Sequence, residues 1–288
     1  MRRRVQAHVS IDIVIPVYNA ATLLRRCLDA LDRHTPVGEA HVTVIDDASP
    51  DPQIAPLLDS WRERSPLRPQ LLHNPSNLGF VGSVNRGIAQ TLGDVLLLNA
   101  DTEVTPDWLA RMRRALDADP RVASVTPFSN NAEICSWPEF CKAAPVPADP
   151  ERIARAFGLA EAPTYPELPT AVGFCMLIRR ATLSAIGDFD RATFGRGYGE
   201  ENDFCLRAVA HGWRNVLADD CYVVHAGGAS FAPLGLKPGG DNLGRLLARY
   251  PRYNALVAEF IAADPLAGRR AHLGQRYREL CAADRERA

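Results

Sequence analysis

The chain has 288 residues, 47% of them hydrophobic, which is enough for one large α/β domain or two small ones. Its 33 Lys and Arg residues almost balance 34 Asp and Glu residues, and the formal net charge of -1 argues against a nucleic-acid partner. No apolar run approaches the roughly 20 residues that span a bilayer, and the first ten residues lack the apolar stretch of a signal peptide, so we predict a cytoplasmic protein.

The first half of the chain alternates short apolar runs with segments of helical periodicity. In chain order, these patterns predict strands at 11–19, 41–51, 69–74, 94–104 and 120–128, and helices at 21–34, 54–65, 81–93 and 108–119. Strands that alternate with helices indicate βαβ units. The predicted fold class is therefore α/β, with a Rossmann-like, mainly parallel central sheet flanked by helices.

The second half begins with a Pro-rich stretch at 129–170, read as a long excursion that contains one helix at 151–158. The elements predicted after it are a strand at 170–180, a helix at 181–189, a Gly-rich loop leading into a helix within 191–213, a strand from 215 that ends at His225, and helices at 242–263 and 268–288. The predicted organisation is an N-terminal tail at 1–10, a domain at 11–232 with halves of about 11–128 and 129–232, and a helical C-terminal extension at 233–288.

The seven cysteines form no CxxC pair, so neither a zinc site nor a disulfide framework is indicated. Polar clusters follow three of the predicted strands, at 17–19, 46–49 and 99–103. In open α/β sheets, ligands bind beyond the carboxyl ends of the strands, so these clusters should converge on one site. No GxGxxG follows the first strand and no GxxxxGK[ST] loop is present, which disfavours dehydrogenases and P-loop NTPases.

Five motifs occur in order: IPVYN at 15–19, VIDDASPD at 44–51, NPSNLGFVGSVNRGI at 74–88, LLLNADTEV at 96–104 and YGEENDFCLRA at 198–208. Together they resemble the family 2 glycosyltransferases of the GT-A fold, especially rhamnosyltransferase-like bacterial members. The resemblance covers about residues 11–230. It implies an enzyme that transfers a sugar from a nucleotide-sugar donor with inversion, using a divalent metal, Mg²⁺ or Mn²⁺. By the same resemblance, about 11–128 is the nucleotide-binding half and about 129–232 the acceptor-side half.

The donor's diphosphate leaving group develops negative charge, which a cation held by carboxylates can stabilise. Asp101 matches the second Asp of the family's DxD motif and is the predicted metal ligand, while Asn99 stands at the first position and offers only a neutral oxygen. Both residues could instead cap a turn or the next helix. His225 ends its predicted strand, and similar members place a His beside the metal or diphosphate; a structural role for it is equally open.

The resemblance also assigns a base pocket. Asp47 matches the carboxylate that accepts a hydrogen bond from the base, and Pro16 and Tyr18 line that pocket. The alternative for the acidic pair is an Asx turn at 46–49. Asn77, Gly79 and Asn85 resemble the loop near the base and ribose, and for these the alternative is ordinary loop-to-helix capping and packing.

Inverting transfer requires a general base for the acceptor hydroxyl. The GEEND segment supplies Glu200, Glu201 and Asp203. The family motif is Glu-Asp with the second residue as base, which makes Glu201 the predicted base, Glu200 its neighbour and Asp203 a supporting acid. Acids are also favoured in the first turn of any helix by its macrodipole, so a purely structural role is the competing interpretation.

The resulting hypothesis is a glycosyltransferase of cell-surface polysaccharide biosynthesis, whose partners are a nucleotide-sugar donor and a glycan or lipid-linked acceptor. The alternative is a catalytically inactive sugar-nucleotide-binding or scaffold protein of the same fold, suggested by Asn99 and by the Glu-Glu variant of the base motif. A homodimer and a peripheral contact with the inner face of the membrane remain open.

Overall fold

A computed structural model of the chain describes residues 11–227 and 241–287. The predicted tail at 1–10 and the predicted boundary near 232 lie outside the described residues. The strands are β1 (Ile11–Val17), β2 (Ala40–Asp46), β3 (Gln70–His73), β4 (Asp94–Leu98), β5 (Thr102–Glu103), β6 (Val122–Phe128), β7 (Glu167–Leu168), β8 (Cys175–Ile178), β9 (Arg214–Tyr222) and β10 (Val224–His225). The helices are α1 (Ala21–His34), α2 (Ile54–Arg64), α3 (Gly79–Ile88), α4 (Trp108–Asp117), α5 (Pro150–Gly158), α6 (Arg180–Ile186), α7 (Arg191–Phe194), α8 (Glu200–Ala210), α9 (Asp241–Arg249), α10 (Tyr253–Ala263) and α11 (Ala267–Arg287).

Eight of the strands form one sheet in the order β3-β2-β1-β4-β8-β6-β9-β7. Neighbours from β3 to β4 run parallel, as do β6 and β9. Helices cover both faces, so strands such as β4 and β6 are buried throughout, which accounts for their unbroken apolar runs. The predicted α/β fold with a mainly parallel sheet is confirmed.

Strand β8 departs from the parallel pattern. It lies between β4 and β6 and runs antiparallel to both, and the short β7 is antiparallel to β9 at the sheet edge. Strand β8 begins at Cys175, opposite Leu98 at the carboxyl end of β4, so it runs back through the sheet from the edge at which β4 and β6 end. Pairing of β6 with β9 makes one continuous sheet from the two predicted halves.

Two predicted strands are each broken in two. Residues 94–104 form β4, a turn in which the Thr102 N–H donates to the Asn99 carbonyl at 3.2 Å, and then β5. Likewise β9 ends at Tyr222, and β10 follows after one residue. The two short strands pair antiparallel in a separate ribbon, with His225 opposite Thr102. This ribbon, which the sequence pattern did not predict, places His225 next to Asp101.

The excursion at 129–170 is tied to the domain by its aromatic residues. The Trp137 ring packs edge-on against Phe157, Tyr222 and Tyr277 at centroid distances of 5.4, 6.0 and 5.7 Å. The single predicted helix is present as α5, which begins because the Asp149 side chain accepts the Arg152 N–H at 2.9 Å. The loop around Trp137 is therefore anchored against the sheet.

The C-terminal helices pack onto this domain. Leu266 and Leu273 are fully buried in the main core, and α11 lies against α5. The Arg249 guanidinium at the end of α9 forms ion pairs with Asp203 at 2.6 Å and Asp190 at 2.9 Å. Within 11–227 and 241–287, no helix combines the length and apolar character needed to cross a membrane.

Candidate active site

The loops that follow β1, β2 and β4 meet at one edge of the sheet, as the parallel order requires. They form a depression that we call the strand-end pocket. It is lined by Pro16, Val17, Tyr18, Asp47, Asn77, Gly79, Phe80, Ser83, Asn99, Ala100 and Arg196. Among the residues predicted for donor binding, the structure brings Pro16, Tyr18, Asp47, Asn77, Gly79 and Asn99 together here. Asp101 lines the adjoining cleft described below.

Asp47 holds the beginning of α3. Its Oδ1 accepts hydrogen bonds from the Asn74 amide and the Leu78 N–H, both at 2.7 Å, and its Oδ2 accepts the Gly79 N–H at 2.9 Å. A carboxylate has about four acceptor positions, so Oδ2 retains one for a ligand. The Asx turn belongs to Asp46, whose Oδ1 accepts the Ser49 N–H at 3.0 Å. Asp47 therefore supports the pocket and can still contact what fills it.

The residues predicted for the base and ribose divide into two groups. Asn77 lines the pocket while its side chain accepts the Gly79 N–H at 3.1 Å. Gly79 has φ +76°, and a Cβ there would lie 2.7 Å from the Arg196 Cα, so only glycine fits. Asn85 lies outside the pocket lining. Its side-chain amide donates a hydrogen bond to the Phe189 carbonyl at 2.8 Å and accepts one from the Phe189 N–H at 3.3 Å.

Arg196 is a pocket residue that the sequence analysis missed. It lies in the Gly-rich loop, whose carbonyl at 196 accepts the Phe80 N–H at 3.0 Å. Its exposed guanidinium has no ion pair or hydrogen bond with any residue that the structure describes. An unpaired cation at the rim of a pocket suits an anionic ligand. The only sequence signal was its position between two glycines.

Asp101 and His225 face each other across the strand ribbon. The Asp101 Oδ1 is buried without a hydrogen-bond partner and lies 3.5 Å from the His225 Nε2. The His225 Nδ1 lies 2.6 Å from the Asn131 carbonyl, so Nδ1 carries the proton and, in the neutral ring, Nε2 presents a lone pair. Histidines that ligate metals commonly donate their other N–H to a carbonyl in this way.

These two side chains fit a divalent cation. Within 11–227 and 241–287, no group of three or more His, Cys, Asp or Glu side chains could hold a metal ion. Asp101 and His225 would therefore supply two ligands of a cation, and the remaining ligands would come from elsewhere. Burial lowers the pKa of His225, but the hydrogen bond and charge of Asp101 together with the hydrogen bond to the Asn131 carbonyl raise it, and the net shift of the pKa is upward. An orphaned carboxylate oxygen beside an imidazole nitrogen is the donor set of a Mn²⁺-type cation.

A larger space, which we call the carboxylate cleft, opens next to the strand-end pocket and shares Phe80 and Asn99 with it. Its volume is about 310 Å³. It is lined by Phe80, Asn99, Asp101, Asn131, Ala132, Glu133, Val172, Gly173, Phe174, Tyr198, Glu200, Glu201, His225 and Gly227. The cleft thus joins the Asp101–His225 pair to the acidic start of α8.

Glu200 and Glu201 both present unsatisfied oxygens in the cleft. Glu200 is 3% exposed, Glu201 is half-buried, and the Oε2 atom of each is buried without a partner. Burial, with the neighbouring Glu201 charge, raises the pKa of Glu200 well above its usual range. Burial also raises the pKa of Glu201, to about 7. A helix dipole alone would not require these oxygens to lie in a cavity, so the two acids are available for chemistry.

Asp203 lies outside the lining of the cleft. It is fully buried and forms ion pairs with Arg207 at 2.8 Å and Arg249 at 2.6 Å, while the Tyr250 hydroxyl donates to it at 3.0 Å. Asp203 therefore fastens α9 to α8 and lies one helical turn from Glu200, and its predicted role as a supporting acid stays a prediction.

Glu133 and Tyr198 line the cleft and were not predicted. Both have left-handed backbone conformations, with φ of +47° and +70°. Such conformations are strained in residues other than glycine and cluster at functional sites. Glu133 is exposed, yet desolvation by the cleft walls raises its pKa. Their proximity to Glu201 depends on the folded chain, and no local motif indicates it.

Comparison with sequence families shows that the model of glycosyl transferase family 2 matches residues 12–187. No curated protein sequence matches the chain. The matched region contains every residue that lines the strand-end pocket except Arg196, while the α8 acids lie beyond it.

Several solved structures are similar in fold. A structure of GalNAc-T7 with UDP, GalNAc and Mn²⁺ superposes with a TM-score of 0.64 and 18% identity over 85% of this chain and 50% of that one. The mannosyltransferase PcManGT from Pyrobaculum calidifontis, in complex with GDP-Man and Mn²⁺, gives 0.57 and 18% over 95% and 87%. TarS 1-349 of S. aureus, in complex with UDP-GlcNAc, gives 0.55 and 18% over 77% and 60%. The chain thus spans half the length of the GalNAc-T7 chain.

Proposed function

This chain belongs to glycosyl transferase family 2, and we propose that it transfers a sugar with inversion from a nucleotide-sugar donor to a hydroxyl of a glycan or lipid-linked acceptor, with a divalent metal ion. The observation that carries the proposal is the carboxylate cleft. The orphaned Asp101 oxygen and His225 line the same space as the unsatisfied acids Glu200 and Glu201. The first pair suits a cation bound to a diphosphate, and the second pair suits an acceptor hydroxyl.

In this proposal, the strand-end pocket holds the nucleoside, with Tyr18 and Asp47 among its walls and Arg196 at its rim. Similar structures contain UDP, GDP-Man and UDP-GlcNAc, which supports a nucleotide-sugar as the donor. Asn99 lines both spaces and so lies where nucleoside and sugar join. The sugar then extends from the strand-end pocket into the carboxylate cleft.

Asp101 and His225 would hold the divalent cation, Mg²⁺ or Mn²⁺, which supplies positive charge to the diphosphate as it leaves. The acceptor oxygen forms a bond to the sugar C1, and the C1–oxygen bond to the diphosphate breaks with its electron pair leaving on the nucleoside diphosphate. Glu201 takes the proton of the attacking hydroxyl. Its pKa of about 7 suits a base that works near neutral pH.

Glu200 has a different part in this proposal. Burial and the neighbouring Glu201 charge raise the pKa of Glu200 well above its usual range, which disfavours ionisation of both acids at once. A neutral acid beside an ionised one keeps the pair from carrying two adjacent charges. Glu200 therefore positions Glu201 and preserves a single negative charge at the point of attack.

One observation favours the alternative of a binding protein without turnover. Asn99 replaces the first carboxylate of the metal motif, so Asp101 and His225 are the cation ligands that the described chain offers. Nucleotide binding without transfer to any acceptor would support that alternative. The paired, unsatisfied acids of α8 favour the enzyme, because a binding protein has no use for them.

The test of the donor site is calorimetric titration with UDP, GDP, dTDP and CDP, each with and without Mn²⁺. We expect one nucleotide to bind the wild type tightly and Mn²⁺ to strengthen it. Asp101→Ala is expected to abolish the Mn²⁺ effect and weaken binding at least about tenfold, since it removes a charged ligand of the cation. Asp59→Ala, in an exposed ion pair of α2, is the control. Failure of every nucleotide to bind would overturn the proposal and its alternative together.

Arg196 gives a second expectation for donor binding. Arg196→Ala should weaken binding of the nucleoside diphosphate about tenfold and leave binding of the free nucleoside unchanged, because an unpaired cation acts on the phosphate charge. Arg191→Ala is the matched control, since Arg191 is an exposed arginine of the same segment outside the pocket lining. Equal losses in the two variants, measured by the same titration, would contradict a specific role for Arg196.

The biological setting belongs to the proposal as well. We infer that the protein acts in the cytoplasm, in cell-surface polysaccharide biosynthesis, with its acceptor presented at the inner face of the membrane. The resemblance of its five motifs to soluble bacterial family members supports this setting.

A further inference from the structure

A third space, which we call the side pocket, adjoins the carboxylate cleft. Its volume is about 140 Å³. It is lined by Glu133, Tyr198, Gly199, Glu201, Asn202, Leu243, Leu246 and Tyr253. Glu133, Tyr198 and Glu201 line both spaces, so the side pocket meets the cleft at the proposed base.

The outer wall of the side pocket comes from the C-terminal helices. Leu243 and Leu246 lie on α9, and Tyr253 is the first residue of α10. Helix α9 is fixed in place because the Asn242 amide donates to the carbonyls of Phe194 and Gly197, both at 2.7 Å. Its other end is held by Arg249 through Asp203 and Asp190. These helices follow the region that matches the family, yet they complete a wall of its reaction space.

The walls combine ring and aliphatic surface with hydrogen-bonding groups. Two tyrosines and two leucines form the apolar part, and Glu133, Glu201 and Asn202 form the polar part. Aromatic faces beside carboxylate and amide groups are suited to a sugar ring, whose C–H face is apolar and whose edge carries hydroxyls. No arginine, lysine or histidine is among the described residues that line it, so a phosphate or carboxylate group would meet repulsion there.

Two further observations indicate that a ligand contacts these acids. Glu200, 3% exposed, has an unpartnered oxygen in the adjoining cleft, and the Glu201 Oε2 has none either. Glu133, with φ of +47°, lines the same two spaces as Glu201. Buried polar atoms without partners are costly unless a ligand or water satisfies them.

We propose that the side pocket is the acceptor subsite and that it binds an uncharged saccharide ring, with Tyr253 packing against the ring and Glu133 accepting a hydrogen bond from one of its hydroxyls. This inference rests on the proposed function, because it places the acceptor hydroxyl beside Glu201. It gives the C-terminal helices a role in acceptor choice. It also predicts that the sugar next to the new linkage carries no phosphate.

The experiment uses the full chain loaded with Mn²⁺ and the nucleoside diphosphate identified by titration. Saturation-transfer NMR measures binding of glucose, galactose, mannose, rhamnose and N-acetylglucosamine, and of glucose 1-phosphate as the charged probe. Tyr253→Ala and Glu133→Gln are the test variants. Asn254→Ala, exposed on α10, and Glu139→Gln, an exposed acid of the Glu133 loop paired with Lys142, are their controls.

We expect at least one neutral saccharide to bind the wild type more tightly than glucose 1-phosphate. Both test variants should weaken that binding about tenfold, while the controls stay within about twofold of the wild-type affinity.

Nucleotide affinity, measured on every variant, should not change. Glu133→Gln removes only a charge at an exposed position and should fold normally, so it still tests the inference if Tyr253→Ala fails to fold. Preference for the phosphate probe, equal affinities in test and control variants, or no saccharide binding to the nucleotide-loaded wild type would each overturn the inference and leave the donor proposal standing. Failure of the wild type to bind any of the nucleoside diphosphates would instead overturn the proposed function.

Discussion

Glu201→Gln is expected to lower the transfer rate by about 10²–10⁴-fold, the usual contribution of a general base, while nucleoside diphosphate binding stays at the wild-type level. The amide has nearly the same shape as the carboxyl group but cannot accept the hydroxyl proton. Glu201 lines both the carboxylate cleft and the side pocket, so it is the acid of α8 that can meet donor and acceptor together. Initial rates with the donor and acceptor found above, together with calorimetry, measure the two quantities separately.

Glu200→Gln is the matched control, because the two residues are adjacent and of the same type. Glu200 lines the cleft but not the side pocket, and burial with the neighbouring Glu201 charge raises its pKa. A neutral amide resembles a protonated carboxyl, so the expected loss is about tenfold or less, through changed positioning of Glu201. A greater loss for Glu200→Gln than for Glu201→Gln would reverse the two assignments.

The pH dependence follows from the same pair. Burial raises the pKa of Glu201 from 4.5 to about 7, so the transfer rate should rise with pH and level off above about pH 7.

The free energy of unfolding should change with pH in the opposite sense. The raised pKa of Glu201 contributes stability that is fully present below about pH 4.5 and is lost as the pH rises through about 7. Glu201→Gln should remove its share of that loss. Urea denaturation across this range would contradict the assignment if wild type and variant changed in parallel.

The sequence predicted those parts of the fold that depend on local pattern. A parallel sheet is indicated by the apolar runs of β1, β2 and β4 and by the amphipathic helices between them. Strands that are covered on both faces are apolar along most of their length. The reversed direction of β8 had no local signal, since its four residues fit either orientation. Pairing of β5 with β10 joins residues more than a hundred positions apart, which periodicity does not report.

The candidate site shows the same division. Asp101, Glu200 and Glu201 were predicted because they stand at the ends of recognisable elements within family motifs. Glu133 and Tyr253 were missed because an irregular loop and a distant helix bring them to the cleft only in the folded chain. Asp203, two positions after Glu201, forms ion pairs with Arg207 and Arg249, although it lies one helical turn from Glu200. Motif membership predicted the location of the site but did not assign each member its role.

Asp47 carries the second large expectation. Asp47→Ala should lower the free energy of unfolding by about 3–4 kcal/mol, because three donors, including the N–H groups of Leu78 and Gly79, lose a charged acceptor. Asp46→Ala is the matched control: that neighbouring buried carboxylate accepts one backbone N–H, from Ser49, and lies 3.4 Å from the half-exposed His73 ring, so its loss should cost about 1 kcal/mol. Urea denaturation without nucleotide compares the two.

Nucleotide binding by the Asp47 variant then separates structure from recognition. Gly79 packs against the Arg196 backbone, so release of the first turn of α3 should also displace Arg196 and weaken diphosphate and free nucleoside alike. Asp47→Asn retains one acceptor oxygen but places an amide against backbone N–H donors, and we expect it to lose most of the same stability. If both Asp47 variants were as stable as Asp46→Ala yet failed to bind nucleoside, the carboxylate would serve the base alone. If stability and nucleoside affinity fall together, the clamp on α3 is what shapes the donor pocket.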